Sequence, residues 1–302
     1  MVISLPTFPG ISWKLIPFRH VEEIEREIES RLKDGLLDPV LHKEYLASST
    51  FKAPEKMPRP ESVAIVAVPQ PALRLAFMIG GKAFTATVPP TYFDAAEVDD
   101  LAVREMGKFY GKGHDFVRAY LPLKVLACRA GLAFYGRNNI AYVPGWGSFF
   151  RLTAFFTDVE AGEHVWEEPR MLQDCEGCRI CIDACPAKVM GGDRFMARAE
   201  KCLTYLNEKP PEVPFPAWVS PSWHNALTGC MICQRVCPAN RGVVNRIEDR
   251  GEFSEDEASY LLQGDFADKE KAEAMEKKLK KAGLDLSAFP RNLKALIRKR
   301  LP

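Results

Sequence analysis

Eight of the nine cysteines in this 302-residue chain lie in one stretch of the sequence, and thiolates are ligands for soft metals. The first group reads Cys175-Glu-Gly-Cys178-Arg-Ile-Cys181-Ile-Asp-Ala-Cys185-Pro186. The second reads Cys230-Met-Ile-Cys233-Gln-Arg-Val-Cys237-Pro238, and Cys202 stands between the groups. Zinc sites pair two Cys-x-x-Cys knuckles, whereas Cys-x-x-Cys-x-x-Cys-x-x-x-Cys-Pro is the spacing that wraps a [4Fe–4S] cluster. The spacing therefore predicts two [4Fe–4S] clusters.

The two-cluster pattern also predicts which cysteines share a cluster, because the last cysteine of each run ligates the other cluster. The first cluster is assigned to Cys175, Cys178, Cys181 and Cys237. The second is assigned to Cys185, Cys202, Cys230 and Cys233. Two zinc ribbons, or a disulfide framework in an exported chain, are the alternatives.

The composition is typical of a soluble globular protein, with 47% hydrophobic and 27% charged residues and a formal net charge of +1. There is thus no global field that would attract nucleic acid, although a local basic face remains open. The first ten residues lack the pattern of a signal peptide, and there is no run of about 20 apolar residues. We expect a cytoplasmic protein without a membrane partner.

Hydrophobic spacing predicts alternating helices and strands before the cysteines. Residues 20–34 form an amphipathic helix, Ser62–Val68 is a strand buried on both faces, and residues 43–61 are a surface connection. The pattern predicts further strands at 82–88, 140–143 and 151–158, and helices at 97–110 and 123–130. This order indicates an α/β or α+β layered domain.

Charged helices are predicted after the cysteines. Ser254 and Glu257 form a capping box, and helices follow at 268–281 and 291–300, the last with a solvated basic face. The sequence thus divides into three predicted domains: 1–165 for cofactor and substrate, 166–245 for the clusters, and 246–302 as a helical extension.

The segment just before the cysteines resembles the epoxyqueuosine reductases. Leu126-Ala-Cys-Arg-Ala-Gly-Leu-Ala-Phe-Tyr-Gly-Arg-Asn-Asn139 is similar to that family's Leu-Ala-x-x-Ala-Gly-Leu-Gly-Trp-x-Gly-Lys. Gly147-Ser-Phe-Phe-Arg-Leu and Phe156-Thr-Asp158 continue the match, as do Cys202-Leu-Thr-Tyr-Leu206 and Cys237-Pro-Ala-Asn240. The resemblance covers about 115–245.

The resemblance implies a nitroreductase-like domain fused to a two-cluster ferredoxin-like module, with cobalamin bound between the two parts. It also implies electrons from an external ferredoxin or flavodoxin, passed one at a time to cobalt, and tRNA as a partner. The implied corrinoid site is the Tyr135-Gly136-Arg137-Asn138-Asn139 turn together with Gly147 and Ser148. Arg137 could pair with a phosphate and the two Asn could bind amides; a plain hairpin turn is the alternative.

The chain departs from the family at the proton donor. Val117 stands where the family has a catalytic Asp, and Tyr120 stands where it has a Pro three residues later. Asp115 and His114 are close enough in sequence to substitute for the missing acid. Tyr120 is the other candidate, since Lys124 follows it at the i+4 spacing of a helix and would lower its pKa.

Three functions fit these residues. The first is a corrinoid-dependent, epoxyqueuosine reductase-like oxidoreductase that reduces an epoxide or another electrophile. The second is an electron-transfer protein that reduces the cobalt of a partner corrinoid protein and has no substrate of its own. The third is a dicluster reductase whose first domain binds flavin.

Overall fold

A computed structural model describes residues 10–92, 95–191, 197–280, 284 and 289–299. The strands are β1 (Ser12–Pro17), β2 (Ser62–Pro69), β3 (Ala72–Ile79), β4 (Lys82–Val88), β5 (Phe116–Arg118), β6 (Phe134–Tyr135), β7 (Ala141–Tyr142), β8 (Phe150–Thr157) and β9 (Ile247–Phe253). The helices are α1 (Arg19–Lys33), α2 (Pro39–Leu41), α3 (Ala95–Tyr110), α4 (Leu123–Arg129), α5 (Ile180–Ala184), α6 (Leu203–Glu208), α7 (Ile232–Arg235), α8 (Glu255–Gln263), α9 (Lys269–Lys280) and α10 (Phe289–Arg298). A π-helical turn, His42–Leu46, follows α2.

The chain forms two compact units. The first comprises Met1–Gln70, Ala96–Arg179 and Met190–Glu200, and the second comprises Pro71–Ala95, Ile180–Val189 and Lys201–Pro302. This division differs from the three consecutive domains predicted with boundaries at 165 and 245, which remain a prediction. Within the described ranges, no helix has both the length and the apolar character needed to cross a bilayer.

The first unit is built on a four-stranded sheet in the order β1-β2-β8-β5, and each neighbouring pair is antiparallel. Every residue of β2 is buried, as its continuous apolar sequence predicts. On one face, Val63, Ile65 and Ala67 of β2 join the core formed with α1 and α4. On the other, α3 is tied to the sheet by hydrogen bonds from Trp13 to its Tyr110 and from Thr153 to its Asp99.

The structure decides between the two predicted fold classes in favour of α+β. A central strand covered on both faces has a continuous apolar sequence whether its neighbours run parallel or antiparallel, so the pattern of β2 could not distinguish them. Most residues of the predicted surface connection at 43–61 are exposed, and a π-helical turn lies at its start. Strands β1, β3, β5, β6 and β9 were not predicted. The nitroreductase-like character of this domain remains a prediction.

The second unit contains a three-stranded sheet in the order β4-β3-β9. Strands β3 and β4 form a hairpin, and β9 joins β3 in parallel, with Arg74 and Asp249 in a bidentate ion pair at 2.6 and 2.7 Å. Phe77 of β3 stacks on Phe253 of β9 at a ring distance of 4.7 Å and contacts Phe289 of α10. The segment predicted to be wholly helical after the cysteines therefore begins with a strand.

Helix α8 begins with the predicted capping box. Ser254 Oγ accepts from the Glu257 amide at 3.3 Å, while the Glu257 carboxylate accepts from the Ser254 amide at 2.8 Å. The same carboxylate binds Lys278 Nζ at 2.6 Å, which ties α8 to α9. The predicted capping box is therefore confirmed. Its sequence signal is local.

The sequence predicted that the basic face of helix α10 is solvated. In the structure this face is not purely solvated. The Arg291 guanidinium donates to the carbonyl oxygens of two residues near the end of α6 and two residues of the loop that follows it, at 2.7–3.2 Å. These residues are Leu206, Asn207, Pro210 and Val213. The guanidinium also lies 4.3 Å from the centre of the Phe215 ring. Arg291 therefore fixes the loop that follows α6.

Replacing Arg291 with Ala should lower the free energy of unfolding by about 2–3 kcal/mol, because several loop carbonyls would lose a charged donor. Arg298→Ala is the matched control, since Arg298 is exposed on the same helix. We expect the control to change the free energy by less than about 0.5 kcal/mol. Anaerobic urea unfolding of the two variants measures both values, and equal effects would contradict this role.

We predict that His224, in the same region, makes the stability of the protein depend on pH. Burial, with Arg291 and Lys299 nearby, lowers its pKa from 6.5 to about 4. Between these values the unfolded chain binds a proton that the folded chain does not, so stability falls as the pH drops through this window. The loss is at most about 3 kcal/mol. Replacing His224 with Phe should remove this pH-dependent loss of stability. The free energy of unfolding should then differ less between pH 7 and pH 4.5 in the variant than in the wild type.

Candidate functional site

Four cysteines of the second unit lie within electrostatic reach of one another: Cys185, Cys202, Cys230 and Cys233. Short elements bring them together. Cys185 follows α5, Cys202 precedes α6, and the last two flank the start of α7. These are the residues that the spacing assigned to the second cluster, and Cys181 also lies close enough to Cys233 to influence it.

Backbone and side-chain donors surround these sulfurs. The thiol of Cys202 receives hydrogen bonds from Thr204 and from the Tyr205 amide. Asn225 donates from Nδ2 to Cys230 Sγ at 3.2 Å, and its Oδ1 accepts from the Met231 amide at 2.8 Å. Such N–H···S bonds stabilise a negatively charged sulfur, as a cluster ligand requires. Asn225 was not predicted, because an asparagine five residues before a cysteine has no sequence signature.

Burial raises the pKa of Cys202 and Cys230, and raises that of Cys233 well above its ordinary value, with neighbouring thiols adding to the effect at each. A protein that buried several thiolates without a cation would pay a large desolvation cost. Iron supplies the compensating positive charge, so cluster binding is coupled to release of the thiol protons. The buried donor set therefore fits a metal cluster.

The other predicted cluster ligands are divided between the two units. Cys175 and Cys178 belong to the first unit, and Cys181 and Cys237 to the second. The ligand set of the first cluster remains a prediction from spacing. Within the described residues, no three His, Cys, Asp or Glu side chains meet at a point suited to a single metal ion. Thiolates around a cube bind different irons and need not converge in that way.

The predicted cofactor-binding turn is a tight hairpin between β6 and β7. Asn138 Nδ2 donates to the Tyr142 hydroxyl at 2.8 Å, and Asn138 Oδ1 accepts from the Ile140 amide at 3.2 Å. Asn139 takes the left-handed conformation, with φ of 62°. A Cβ on Gly136 would lie 2.4 Å from the Tyr142 ring, so only glycine fits. The plain hairpin reading therefore accounts for Asn138, Asn139 and Gly136.

Arg137 connects this hairpin to Cys175, a predicted cluster ligand. Its amide donates to Cys175 Sγ at 3.3 Å, and its Nη2 donates to the Cys175 carbonyl at 2.8 Å. Tyr135 fixes the register, since it exchanges backbone hydrogen bonds with Arg170 and Leu172, just before Cys175. Burial raises the pKa of Tyr135 above its ordinary range. The guanidinium predicted to pair with a phosphate thus donates to the backbone of Cys175, and the phosphate contact remains a prediction.

One donor of Arg137 is still available. Its Nε is buried and has no hydrogen-bond partner among the described residues. Gly147, with φ of 56°, accepts from the Val143 amide through its carbonyl at 2.9 Å. Ser148 is buried. The hairpin therefore leaves one orphaned donor beside Cys175 rather than a row of open polar side chains.

The candidate acids surround Asp158. Its Oδ1 accepts from the Asp115 amide at 3.1 Å and lies 3.2 Å from His114 Nδ1. Burial raises the pKa of Asp158, but these hydrogen bonds outweigh it and the net shift is downward. The carboxylate of Asp115 is exposed. Val117 lies on β5 and pairs with Phe156, so this position is part of the sheet rather than of a mobile loop.

The predicted pairing of Tyr120 with Lys124 is wrong. Helix α4 begins at Leu123, so Tyr120 precedes it and the i+4 helical spacing does not apply. Lys124 Nζ donates instead to the Asn139 carbonyl at 3.2 Å. The guanidinium of Arg118 lies 5.3 Å from the Tyr120 ring centre. Tyr120 is 63% exposed, and the cation beside it is Arg118.

Cys128, the ninth cysteine, is separate from the cluster groups. It is buried on α4, and burial raises its pKa to about 12. The thiol is therefore unreactive at neutral pH.

Comparison with known proteins identifies the cysteine module. Residues 174–240 match the family model described as "4Fe-4S double cluster binding domain". The prediction of a double-cluster iron–sulfur domain is confirmed.

The chain is also similar to epoxyqueuosine reductases. It is 31% identical over 126 residues to that of Staphylococcus aureus, a match covering 42% of this chain and 31% of the relative. The solved structure from Streptococcus thermophilus aligns with a TM-score of 0.59 and 18% identity over 95% of this chain and 77% of that one. An epoxyqueuosine reductase solved with a tRNA-Tyr epoxyqueuosine-modified stem loop aligns with a TM-score of 0.57 and 19% identity, over 96% and 77%.

These comparisons confirm the predicted resemblance to epoxyqueuosine reductases, whose name identifies them as oxidoreductases. The sequence match spans about a third of the length of the curated relative, and the structural matches establish a shared α+β fold. The chain is epoxyqueuosine reductase-like in its fold and in its iron–sulfur module.

Proposed function

We propose that this protein is a corrinoid-dependent reductase in which two [4Fe–4S] clusters relay electrons for reduction of an epoxide or another electrophilic carbon. The observation that carries the proposal is the gathering of Cys185, Cys202, Cys230 and Cys233 inside a matched double-cluster domain. The similarity to epoxyqueuosine reductases in sequence and fold supports the reductase chemistry. Electrons would come from an external donor of the ferredoxin or flavodoxin type.

The chain offers one clear anchor for a corrinoid. The buried Nε–H of Arg137 has no acceptor among the described residues, and the phosphate or amide groups of a corrinoid would supply one. When bound, a corrinoid provides a strongly reducing metal centre. Arg137 would hold it while its amide stays on Cys175 Sγ, so a single residue contacts both cofactors.

The proton for the leaving oxygen would come from the exposed edge of the first unit. Asp158 holds both candidates, since its Oδ1 accepts from the Asp115 amide and lies within hydrogen-bond distance of His114 Nδ1. Tyr120 is the alternative donor, exposed beside Arg118. An epoxide is the substrate class that the similarity favours, and a tRNA is proposed as its carrier by analogy with the structure solved with a modified stem loop.

A second function is favoured by one observation. Val117 lies on β5 within the sheet, at the register where the reductases carry their acid. A protein without that acid could deliver electrons to the cobalt of a partner corrinoid protein and have no substrate of its own. Flavin bound to the first unit is the remaining alternative to a corrinoid.

Cluster-loaded protein should bind cob(II)alamin under anaerobic conditions and change its electron paramagnetic resonance spectrum. Arg137→Gln, which removes the orphaned donor, should weaken binding about tenfold. Arg179→Gln is the matched control, since Arg179 is exposed within the first cysteine group. It should bind like the wild type.

An unchanged spectrum of free cob(II)alamin would refute the corrinoid proposal. The absorbance of any cofactor extracted with the protein would then identify flavin. If cobalamin binds but epoxyqueuosine-containing tRNA is not reduced, the electron-transfer function would be the better account.

Asn225→Ala should lower the reduction potential of the second cluster. The lost N–H···S bond stabilises the reduced, more negative cluster, so its removal disfavours reduction. We expect a shift of about 40 mV, the equivalent of about 1 kcal/mol for a one-electron couple. Redox titration followed by electron paramagnetic resonance measures the shift.

Asn245→Ala serves as the control for Asn225→Ala, because Asn245 is exposed after the second cysteine group. Its potentials should equal those of the wild type. The same potential in all three proteins would show that Asn225 does not act on the cluster.

A further inference from the structure

Two histidines that the proposed reaction does not use face each other in the first unit. His20 lies near the start of α1, and His164 follows β8. Their Nε2 atoms are 3.3 Å apart. The opposite nitrogen of each ring also has a partner: His20 Nδ1 lies 2.9 Å from Glu23 Oε1, and His164 Nδ1 lies 3.1 Å from the Gly162 carbonyl oxygen.

The hydrogen-bond partners limit what can lie between the two Nε2 atoms. The carboxylate of Glu23 and the carbonyl of Gly162 only accept, so the tautomer that satisfies both contacts has a proton on each Nδ1. Two neutral imidazoles have only two protons, and in this tautomer both are used at Nδ1. The two Nε2 lone pairs then point at each other across 3.3 Å. In this tautomer the contact requires a third proton or a metal ion between them.

The surroundings disfavour the extra proton. His20 is 7% exposed, its ring stacks on Trp166 at 4.2 Å, and burial lowers its pKa although Glu23 opposes the shift. Glu23 is held as a carboxylate, since Trp166 Nε1 donates to its other oxygen at 2.7 Å and the net shift of its pKa is downward. Arg19 adds a positive charge that further disfavours an imidazolium at His20.

The geometry matches that of a transition-metal ion. Zinc binds imidazole nitrogen at about 2.0–2.1 Å, so two such ligands at a tetrahedral angle are about 3.3–3.4 Å apart. Histidines that bind metals almost always donate their other N–H to a carboxylate or a backbone carbonyl, and these two have one of each.

We propose that His20 and His164 bind a divalent transition-metal ion, with zinc as the probe, through their two Nε2 atoms. Among the described residues no third His, Cys, Asp or Glu joins them, so solvent would complete the coordination. The ion would connect α1 to the segment after β8, which is 144 residues away in sequence. This site is independent of the clusters and of the proposed reductase activity.

The test uses cluster-loaded full-length protein dialysed anaerobically against micromolar free zinc, with zinc and iron counted by mass spectrometry. The wild type should retain one more zinc ion per chain than His164→Gln, at equal iron content. Zinc should also raise the unfolding temperature of the wild type and not that of the variant, because it binds only the folded state. Binding should be lost at pH 5, where protons compete for the imidazoles.

His42→Gln is the matched control, since His42 lies in the π-helical turn away from the pair in sequence, and it should keep the extra zinc. His164→Cys should keep it too, because a thiolate replaces the lost ligand. Iron content verifies that each variant is folded and loaded. Equal zinc in the wild type and His164→Gln, or an equal zinc-induced stabilisation, would overturn the proposal and leave the pair sharing a proton.

Discussion

The cysteine-bearing loops of the second unit depend on side chains to satisfy their backbone. Their helices, such as α5 and α7, are only four or five residues long, so most of the polar groups lack partners in regular structure. Side-chain amides fill this role. Asn207 donates to the Gly229 carbonyl at 2.6 Å, and Asn240 donates to the Gln234 carbonyl at 2.8 Å. Asn292 donates to the carbonyl of Asn207 in α6 and to that of Leu227 in a later loop.

This constraint explains why the last helix matters to a metal module that lies earlier in the chain. Helix α10 and the residue after it donate to backbone carbonyls between Cys202 and Cys230. The donors are Arg291, Asn292 and Lys299. Cysteine spacing alone would leave those loops free to adopt many conformations. Donors from α10 select the one in which the thiols are close together.

The parts of the structure that sequence could predict are those with local signals. Each of the two cysteine groups, the amphipathic α1 and the capping box at Ser254 lies within about 15 residues, so its signal can be recognised without knowledge of distant partners. The parts that it could not predict depend on long-range pairing. No local pattern indicates that β3 pairs with β9 or that His164 meets His20.

The cofactor-binding turn shows a second limit of sequence reasoning. Polar residues at a glycine-containing turn fit both a ligand site and a hairpin, and both interpretations use the same residue types. In the structure, Asn138 forms a hydrogen bond inside the hairpin, and Arg137 donates to the backbone carbonyl of Cys175. Only the orientation of each side chain, which depends on its packing, separates the two.

The parallel pairing of β3 with β9 has a consequence for synthesis on the ribosome. Arg74 and Asp249, which face each other in the sheet, are 175 residues apart. At about 5–20 residues per second, β3 is complete roughly 10–35 seconds before its partner is made. All eight cysteines of the module are translated in that interval. The complete set of these cysteines is therefore synthesised before the sheet whose strands flank it in sequence can close.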